Sequence, residues 1–473
     1  MTSLDHLARF GLGRRMYLEA AFERIAAKTP VTVMTRAALE HALAPADLDA
    51  LFAEKAVLQY ERSLLFSSVV DLMGLVVAKV QPSLHAAYQA VADTLPVSIT
   101  SVYNKLNRLE PEVVAAMVRH TAARLRPVIE ASGGAHAPWL PGYRVRILDG
   151  NHLAATQRRL DVLRGCAAGP LPGHSLVILE PDVMLAVDML PCEDAHAQER
   201  SLTDDVLACV EANDCWIADR NFCTLPLLFG IADRRGAFVV RQHANVPLVS
   251  AGTLQRRGRI ETGEVFEQDA TLGVEGGRTL AVRRVVIRLD APTRDGDAEL
   301  AIVTNLPADE ADALAVAELY RKRWTLETLF FELTQTLAGE LETLGYPRAA
   351  LFGFGIALAS YNVLATVKAS LRAAFGHATV EHDVSGYFLA NEVRRLWGGL
   401  DLALDGEAWV PFRTMPTKAF ARQLVAWAAG VQLATLRRHP RGPKKPVPKR
   451  TRYKEEPHVS TARLLAGARG KRP

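Results

Sequence analysis

Cysteine is scarce in this sequence, and its five thiols are scattered. Cys166, Cys192, Cys209, Cys215 and Cys223 contain no CxxC pair. That excludes the usual zinc spacing and argues against a disulfide frame; free or buried thiols in a reducing cytosol are expected. A secretory leader is also not expected. Met1 to Arg15 carries Asp5, Arg9, Arg14 and Arg15, and no apolar core follows. No internal repeat is evident. Long uncharged runs are lacking with one exception, the nineteen residues between Arg348 and Lys368. That run is long enough to span a bilayer. It holds Ser360, Tyr361, Asn362, Thr366 and two glycines, so a helix buried in a globular core is expected, and no membrane.

What is present suits a folded, multi-domain chain. The 473 residues exceed one ordinary core, and 49% are hydrophobic. The net charge of +4 conceals an asymmetry. From Arg437 to Pro473 thirteen Lys/Arg face two Glu, a local charge of +11, which leaves 4 − 11 = −7 on the remainder. A basic, proline-rich tail on an acidic body fits contact with a polyanion such as DNA, or a solvated tail.

The texture changes along the chain. Residues 1–130 read as a helical domain, with helical apolar spacing from Leu39 to Met73 and Pro45 its only proline. Ser98 is placed to cap a short helix from Ile99 to Leu109. That helix would present Lys105 and Arg108, either as a helix-turn-helix DNA reader or as the surface of an ordinary bundle. Ser132 to Pro141 reads as a linker. Residues 140–375 read as a mixed α/β domain. Strands are expected at Tyr143–Leu148, Ser175–Leu179, Val183–Leu190, Cys215–Ala218 and Ala237–Arg241, with helices at Ala195–Glu211 and Leu225–Asp233. A β-rich insertion is expected at about 246–304, with its best strands at Val282–Leu289 and Leu300–Thr304. A long helix from about Asp309 to Leu344 should follow, then helices at Ala349–Ala374 and Lys418–Leu436. Residues 376–436 form a helical C-terminal region and 437–473 a basic tail, where Pro440, Pro443, Pro446 and Pro448 forbid regular helix.

The acids fall in a telling order. Asp149 and Asp219 each follow an apolar strand, which puts both at the carboxyl end of a sheet, where α/β folds place their sites. Glu327 lies on the long helix after the insertion. This is the element order of an RNase H-like fold. With a period of 3.6 residues, Tyr320, Arg323, Trp324 and Glu327 would share one stripe beside an apolar stripe of Leu326, Leu329, Phe330, Leu333 and Leu337. Glu180, Asp182, Asp188 and Asp214 are rival acids, with Asp182 and Asp214 expected in solvent. His152, Arg241 and His243 lie near the same sheet, with Arg241 a candidate phosphate contact.

Three converging carboxylates suit phosphodiester chemistry. Attack at phosphorus places charge on the attacking and leaving oxygens, and two metal ions roughly 3.5–4 Å apart stabilise both. Mg²⁺ or Mn²⁺ fits a carboxylate set, and bound cations hold such acids ionised against their mutual repulsion. Arg323 and Tyr320 would grip a neighbouring phosphate.

Tyr320-x2-Arg323-x3-Glu327 resembles the start of the Y-R-E-K signature of insertion-sequence-four type transposases. Leu148-Asp149-Gly150-Asn151 resembles their first acidic motif. Ala218-Asp219-Arg220-Asn221-Phe222 resembles their second, which more often has Gly where Asn221 stands. The resemblance runs from about Tyr143 to Lys368. It departs at Thr334, where the signature has a phosphate-contacting Lys; Lys322 or Arg321 is a candidate to compensate. Some relatives use a Trp of the β insertion to hold a flipped base, but no Trp occurs between Trp216 and Trp324.

The resemblance implies a DDE transposase of the bacterial cytoplasm and nucleoid, with Asp149, Asp219 and Glu327 holding two Mg²⁺ or Mn²⁺ ions. It implies cleavage at transposon ends and strand transfer into target DNA by a cut-and-paste route. Its partners would be double-stranded DNA, as terminal inverted repeats and target, and a second copy in a synaptic dimer. DNA-binding candidates are Tyr320, Arg323, Trp324, Arg241, Lys105 and Arg108. Two rivals remain: a weakened or repurposed DNA-binding derivative, favoured by Thr334, and an RNase H-like nuclease that cuts without joining.

Overall fold

The computed structural model describes residues 20–59, 63–273, 277–293, 296–438 and 458–469. The prolines of the tail lie outside them. The N-terminal helices are α1 (Pro30–Ala42), α2 (Pro45–Lys55), α3 (Phe66–Val77), α4 (Leu84–Val91), α5 (Ile99–Leu106) and α6 (Pro111–Ser132). Pro45 does not interrupt a helix but begins one, at the position where its missing N–H costs nothing. Ser98 caps α5 as expected, its side chain accepting from the Ser101 N–H at 3.3 Å.

The mixed region contains β1 (Arg144–His152), β2 (Gly169–Leu171), β3 (His174–Glu180), β4 (Leu185–Cys192), α7 (Thr203–Ala208), β5 (Asp214–Ala218), α8 (Leu225–Asp233) and β6 (Ala237–Arg241). The insertion supplies β7 (Leu248–Ile260), β8 (Gly263–Gly273), β9 (Thr279–Leu289) and β10 (Glu299–Thr304). Its strands do not form a separate sheet. They continue the main one in the order β4-β3-β1-β5-β6-β10-β9-β8-β7. β1, β5 and β6 are parallel, β3 pairs antiparallel with β1 and β4 antiparallel with β3, the strand arrangement of an RNase H-like core. The helix expected over Ala195–Glu211 is shorter: a 3-10 turn at Glu199–Leu202 leads into α7.

After the sheet come α9 (Ala313–Arg321), α10 (Trp324–Gln335), α11 (Pro347–Phe375), α12 (His377–Asp383), α13 (Gly386–Ala403) and α14 (Thr417–Ala428). The single helix expected over Asp309–Leu344 is thus two helices, and residues 336–346 are not helical. The break has a local cause. Arg323, Thr325 and Leu326 donate their N–H groups three residues back, to Tyr320, Lys322 and Arg323, so the ladder tightens and turns.

Strand alternation sorts the side chains into layers. Trp216 and Ala218 of β5 pack with α7 and α8, while Cys215 and Ile217 pack with α9. Ile147, Val177, Leu179 and Leu185 face a larger cluster that takes in both the N-terminal helices and α10, α11, α13 and α14. The N- and C-terminal helices therefore share one apolar core against the sheet. α11 is its centre. By length and composition it would cross a membrane, yet 89% of its apolar window is buried inside the protein. Gly355 lets it approach α6, since a Cβ there would overlap Val114 Cγ1. Asn362 of α11 satisfies the edge of β4, exchanging 2.8 Å bonds with both the N–H and the C=O of Ala186. The described end of the tail also docks. β11 (His458–Ser460) pairs parallel with β2, and Arg463 of α15 (Thr461–Arg469) meets Asp194 at 2.7 Å.

Candidate active site

The register of β1 and β5 brings two acids together. Leu148 pairs with Ala218, so Asp149 and Asp219, one residue further, are neighbours on adjacent parallel strands. Alternation puts both on the face that carries α9 and α10. β1 runs on past Asp149 to His152, so this acid lies within the strand and not at its end as the sequence suggested. Asp219 does end β5, and its carboxylate accepts from the Asn221 N–H at 2.8 Å, capping a 3-10 turn at Arg220–Phe222.

Glu327 sits in the first turn of α10. It is linked to Asp149 through Arg323. The guanidinium donates from Nη1 to Asp149 Oδ2 at 2.5 Å and from Nη2 to Glu327 Oε1 at 2.8 Å. Asp149 and Arg323 are largely buried, at 16% and 11% side-chain exposure, whereas Glu327 is 55% exposed. Burial pushes the Asp149 carboxyl up to about 6; Arg323 opposes the shift, and the Asp219 charge adds to it. Burial also works against the charge on Arg323, but Asp149 and Glu327 offset it, so the guanidinium is held more firmly protonated than in water.

A further acid belongs to this site. Glu199, on the 3-10 turn before α7, lies over the Cα of Gly150, where a Cβ would overlap its carboxylate. Its Oε2 is 3.4 Å from the Asn221 Nδ2, so it links the two acidic motifs. Burial raises its carboxyl, the Asn221 amide lowers it, and Asp219 raises it again. Nothing in its local spacing marks Glu199, because its place depends on how the turn packs across β1 and β5. Asn221, unusual at its motif position, has a use here.

The remaining candidates are distributed unevenly. Tyr320, in the last turn of α9, is buried, which raises its hydroxyl. Because the helix breaks at Arg323, Tyr320 and Glu327 do not share a continuous helical stripe. Trp324 is 55% exposed beside Glu327. Arg241, at the end of β6, is paired with Asp297 at 2.7 Å. Lys105 donates to the Leu64 carbonyl at 2.8 Å and lies over the Phe52 ring, so its ammonium serves packing in this structure. Arg108, just beyond α5, is exposed.

Among the described residues no three acidic, His or Cys side chains surround one point as a metal cage. The donor set nonetheless fits a hard divalent cation: carboxylate oxygens from β1, from the end of β5 and from α10. A guanidinium now lies between two of them.

Residues 142–363 match the family model described as the transposase DDE domain. Over 140 residues, 28% of this chain, the sequence is 29% identical to a protein of Geobacillus stearothermophilus named as a transposase for insertion sequence element IS5377. Over 151 residues, 32% of the chain, it is 27% identical to a protein of Sinorhizobium fredii named as transposase y4zB. These matches span 36% and 40% of the two relatives' own lengths. The chain carries a DDE transposase domain.

Within the DDE domain the rival acids have structural partners. Glu180 is buried between Arg126 and Arg146. Asp188 is buried against Arg119 at 3.1 Å. Asp214, expected in solvent, is fully buried and bonds Arg144 at 2.7 Å, because the arginines of β1 need a counter-ion there. Asp182 is half-buried and accepts from the Trp139 N–H at 3.2 Å. His152 stacks on His174 at 5.0 Å between ring centroids, and His243 accepts from the Asn245 N–H. Thr334 is exposed, its hydroxyl bonded to the carbonyls of Phe330 and Phe331. Neither basic neighbour is idle: Arg321 pairs with Glu318 and Glu261, and Lys322 lies over the Trp139 ring.

Proposed function

We propose that this protein is a DNA transposase of the insertion-sequence-four type, cutting at the ends of its element and joining them to target DNA. The observation that carries the reading is the placement of Asp149 and Asp219 on neighbouring parallel strands, with Glu327 tied to Asp149 by Arg323. Asp149, Asp219 and Glu327 would hold two Mg²⁺ or Mn²⁺ ions, which when bound supply charge stabilisation for the attacking and leaving oxygens. Hydrolysis would break the P–O3′ bond at the element's end and leave a 3′ hydroxyl. That hydroxyl would then attack a target phosphodiester, displacing a 3′ oxygen of the target without a protein-linked intermediate.

The chain's own residues orient the DNA. Trp324, exposed beside Glu327, offers a face for base stacking, and Arg323 offers a planar fork for a phosphate. The N-terminal helices, with Arg108, would bind the terminal inverted repeats. Two copies would pair both ends in the bacterial cytoplasm, at the nucleoid. Phosphate contacts would make binding strongly salt-dependent.

The test uses DNA bearing the repeats that flank the protein's own gene, with Mg²⁺ or Mn²⁺, beside Asp219→Ala. Metal-dependent cutting and joining that the variant lacks supports the reading; cutting without joining supports a nuclease. Binding without cutting supports a repurposed derivative, the second reading that the exposed Thr334 favours.

A further inference from the structure

One guanidinium spans two carboxylates that stand on different elements. Arg323 lies at the tightened turn between α9 and α10, and its bonds to Asp149 at 2.5 Å and Glu327 at 2.8 Å hold a strand acid and a helix acid within one guanidinium's width. The residue is about nine-tenths buried, and its Nε has no hydrogen-bond partner among the described residues. Asp219, on the neighbouring strand, and Glu199, packed against Gly150, add their negative charge beside Asp149. Carboxylates so placed repel each other unless a cation stands among them.

We infer that Arg323 is the built-in counter-ion of the metal-free site, a positioning residue that exchanges with a divalent cation. This rests on Asp149, Asp219 and Glu327 being the metal-holding acids. The oxygens that Arg323 engages are those a divalent ion requires, so the two cations compete for them. While metal is absent, the arginine keeps the acids together and prevents α10 from being pushed off the sheet. When metal enters, the guanidinium is displaced. Its five donors, one of them unsatisfied in this state, become free for a phosphate. Metal loading and phosphate capture are thereby coupled: Arg323 is not available to DNA until the site is charged. Competition of this kind is a coupling free energy, for which 5- to 150-fold changes in affinity are typical.

The test needs no DNA and no turnover. Mn²⁺ binding to the full chain is followed by electron paramagnetic resonance for wild type, Arg323→Gln, Arg323→Lys and Asp149→Asn, with circular dichroism to confirm folding. Arg323→Gln should bind Mn²⁺ at least about fivefold more tightly than wild type. Arg323→Lys, which keeps the charge but loses the fork, should fall between. In a parallel measurement on wild type, phenylglyoxal labelling of Arg323, read by peptide mass spectrometry, should rise when Mn²⁺ is added. If Arg323→Gln and Arg323→Lys bind Mn²⁺ no more tightly than wild type, while Asp149→Asn loses binding, the exchange is wrong and the metal-holding acids stand. If Asp149→Asn binds Mn²⁺ as wild type does, the acids themselves are misassigned and the exchange falls with them. Unchanged labelling of Arg323 in a protein that does bind Mn²⁺ also overturns it.

Discussion

The Glu199 carboxylate lies directly over the Cα of Gly150, in the space a side chain would fill. Gly150 follows Asp149, and Glu199 also reaches Asn221 beside Asp219. The acids of β1 and β5 are therefore aligned partly by a residue that belongs to neither motif. Gly150→Ala should move the Glu199 carboxylate, the far end of a flexible side chain, at a stability cost of about 1 kcal/mol or less. Cleavage should nonetheless fall roughly tenfold, and Glu199→Ala should do the same. The double variant should be no worse than either single one, since both break one contact. Single-turnover cleavage of the four proteins checks this; additive losses would refute the link.

Glu180 makes a stability prediction far from the chemistry. It is 3% exposed and neutralises Arg126 and Arg146, the latter at 2.8 Å. Glu180→Ala leaves the buried Arg146 with only the more distant Asp214, at 3.9 Å, and should cost about 3 kcal/mol. Urea unfolding would show the loss as a lower midpoint with little change in slope. Asp182→Ala, in the adjoining turn and half-buried, should cost far less.

Asp149 gives the metal-free protein a pH signature. Its carboxyl rises from 3.8 to about 6 chiefly because it is buried. The folded protein thus holds this proton more tightly than the unfolded chain. The stability it contributes is complete below about pH 4 and is lost as pH rises toward about 6. Measured against Asp149→Asn, which does not titrate, wild-type stability should fall by up to roughly 3 kcal/mol across that window. Denaturant titrations of both proteins in chelator provide the check. A difference that stays flat with pH would mean that burial does not shift this acid.

Thr334 stands on the exposed side of α10, where its hydroxyl serves only the helix's own carbonyls. A lysine has room there. Thr334→Lys should tighten binding to repeat DNA and raise the slope of log affinity against log salt by about one. Equal slopes in wild type and variant would place this face of α10 away from the DNA.

The parts of the site that were legible in the sequence are those that local rules determine. The apolar strands β1 and β5 pointed to Asp149 and Asp219, and Ser98 announced its own cap. The helix Leu225–Asp233 and the strand Ala237–Arg241 match their expected limits. Glu327 was reached by helical spacing and by resemblance, but the single stripe that the spacing implied does not form, because the chain folds there as two helices. Arg323 at the break is held by Asp149 of β1, which lies 174 residues away in sequence and so left no local trace. Asp214 gave no sign of burial, since the arginines that draw it inward lie on another strand. Glu199 was hidden for the same reason.

The most direct test is a phosphorothioate substitution at the scissile phosphate of repeat-end DNA, cut in Mg²⁺ and in Mn²⁺. If Asp149, Asp219 and Glu327 hold ions against that phosphate, one sulfur diastereomer should be cut slowly in Mg²⁺ and recover in the more thiophilic Mn²⁺. Asp219→Ala should show neither cutting nor recovery. Equal cutting of both diastereomers in both metals, or cutting that survives Asp219→Ala, would contradict a metal-dependent site on the carboxylates of Asp149, Asp219 and Glu327.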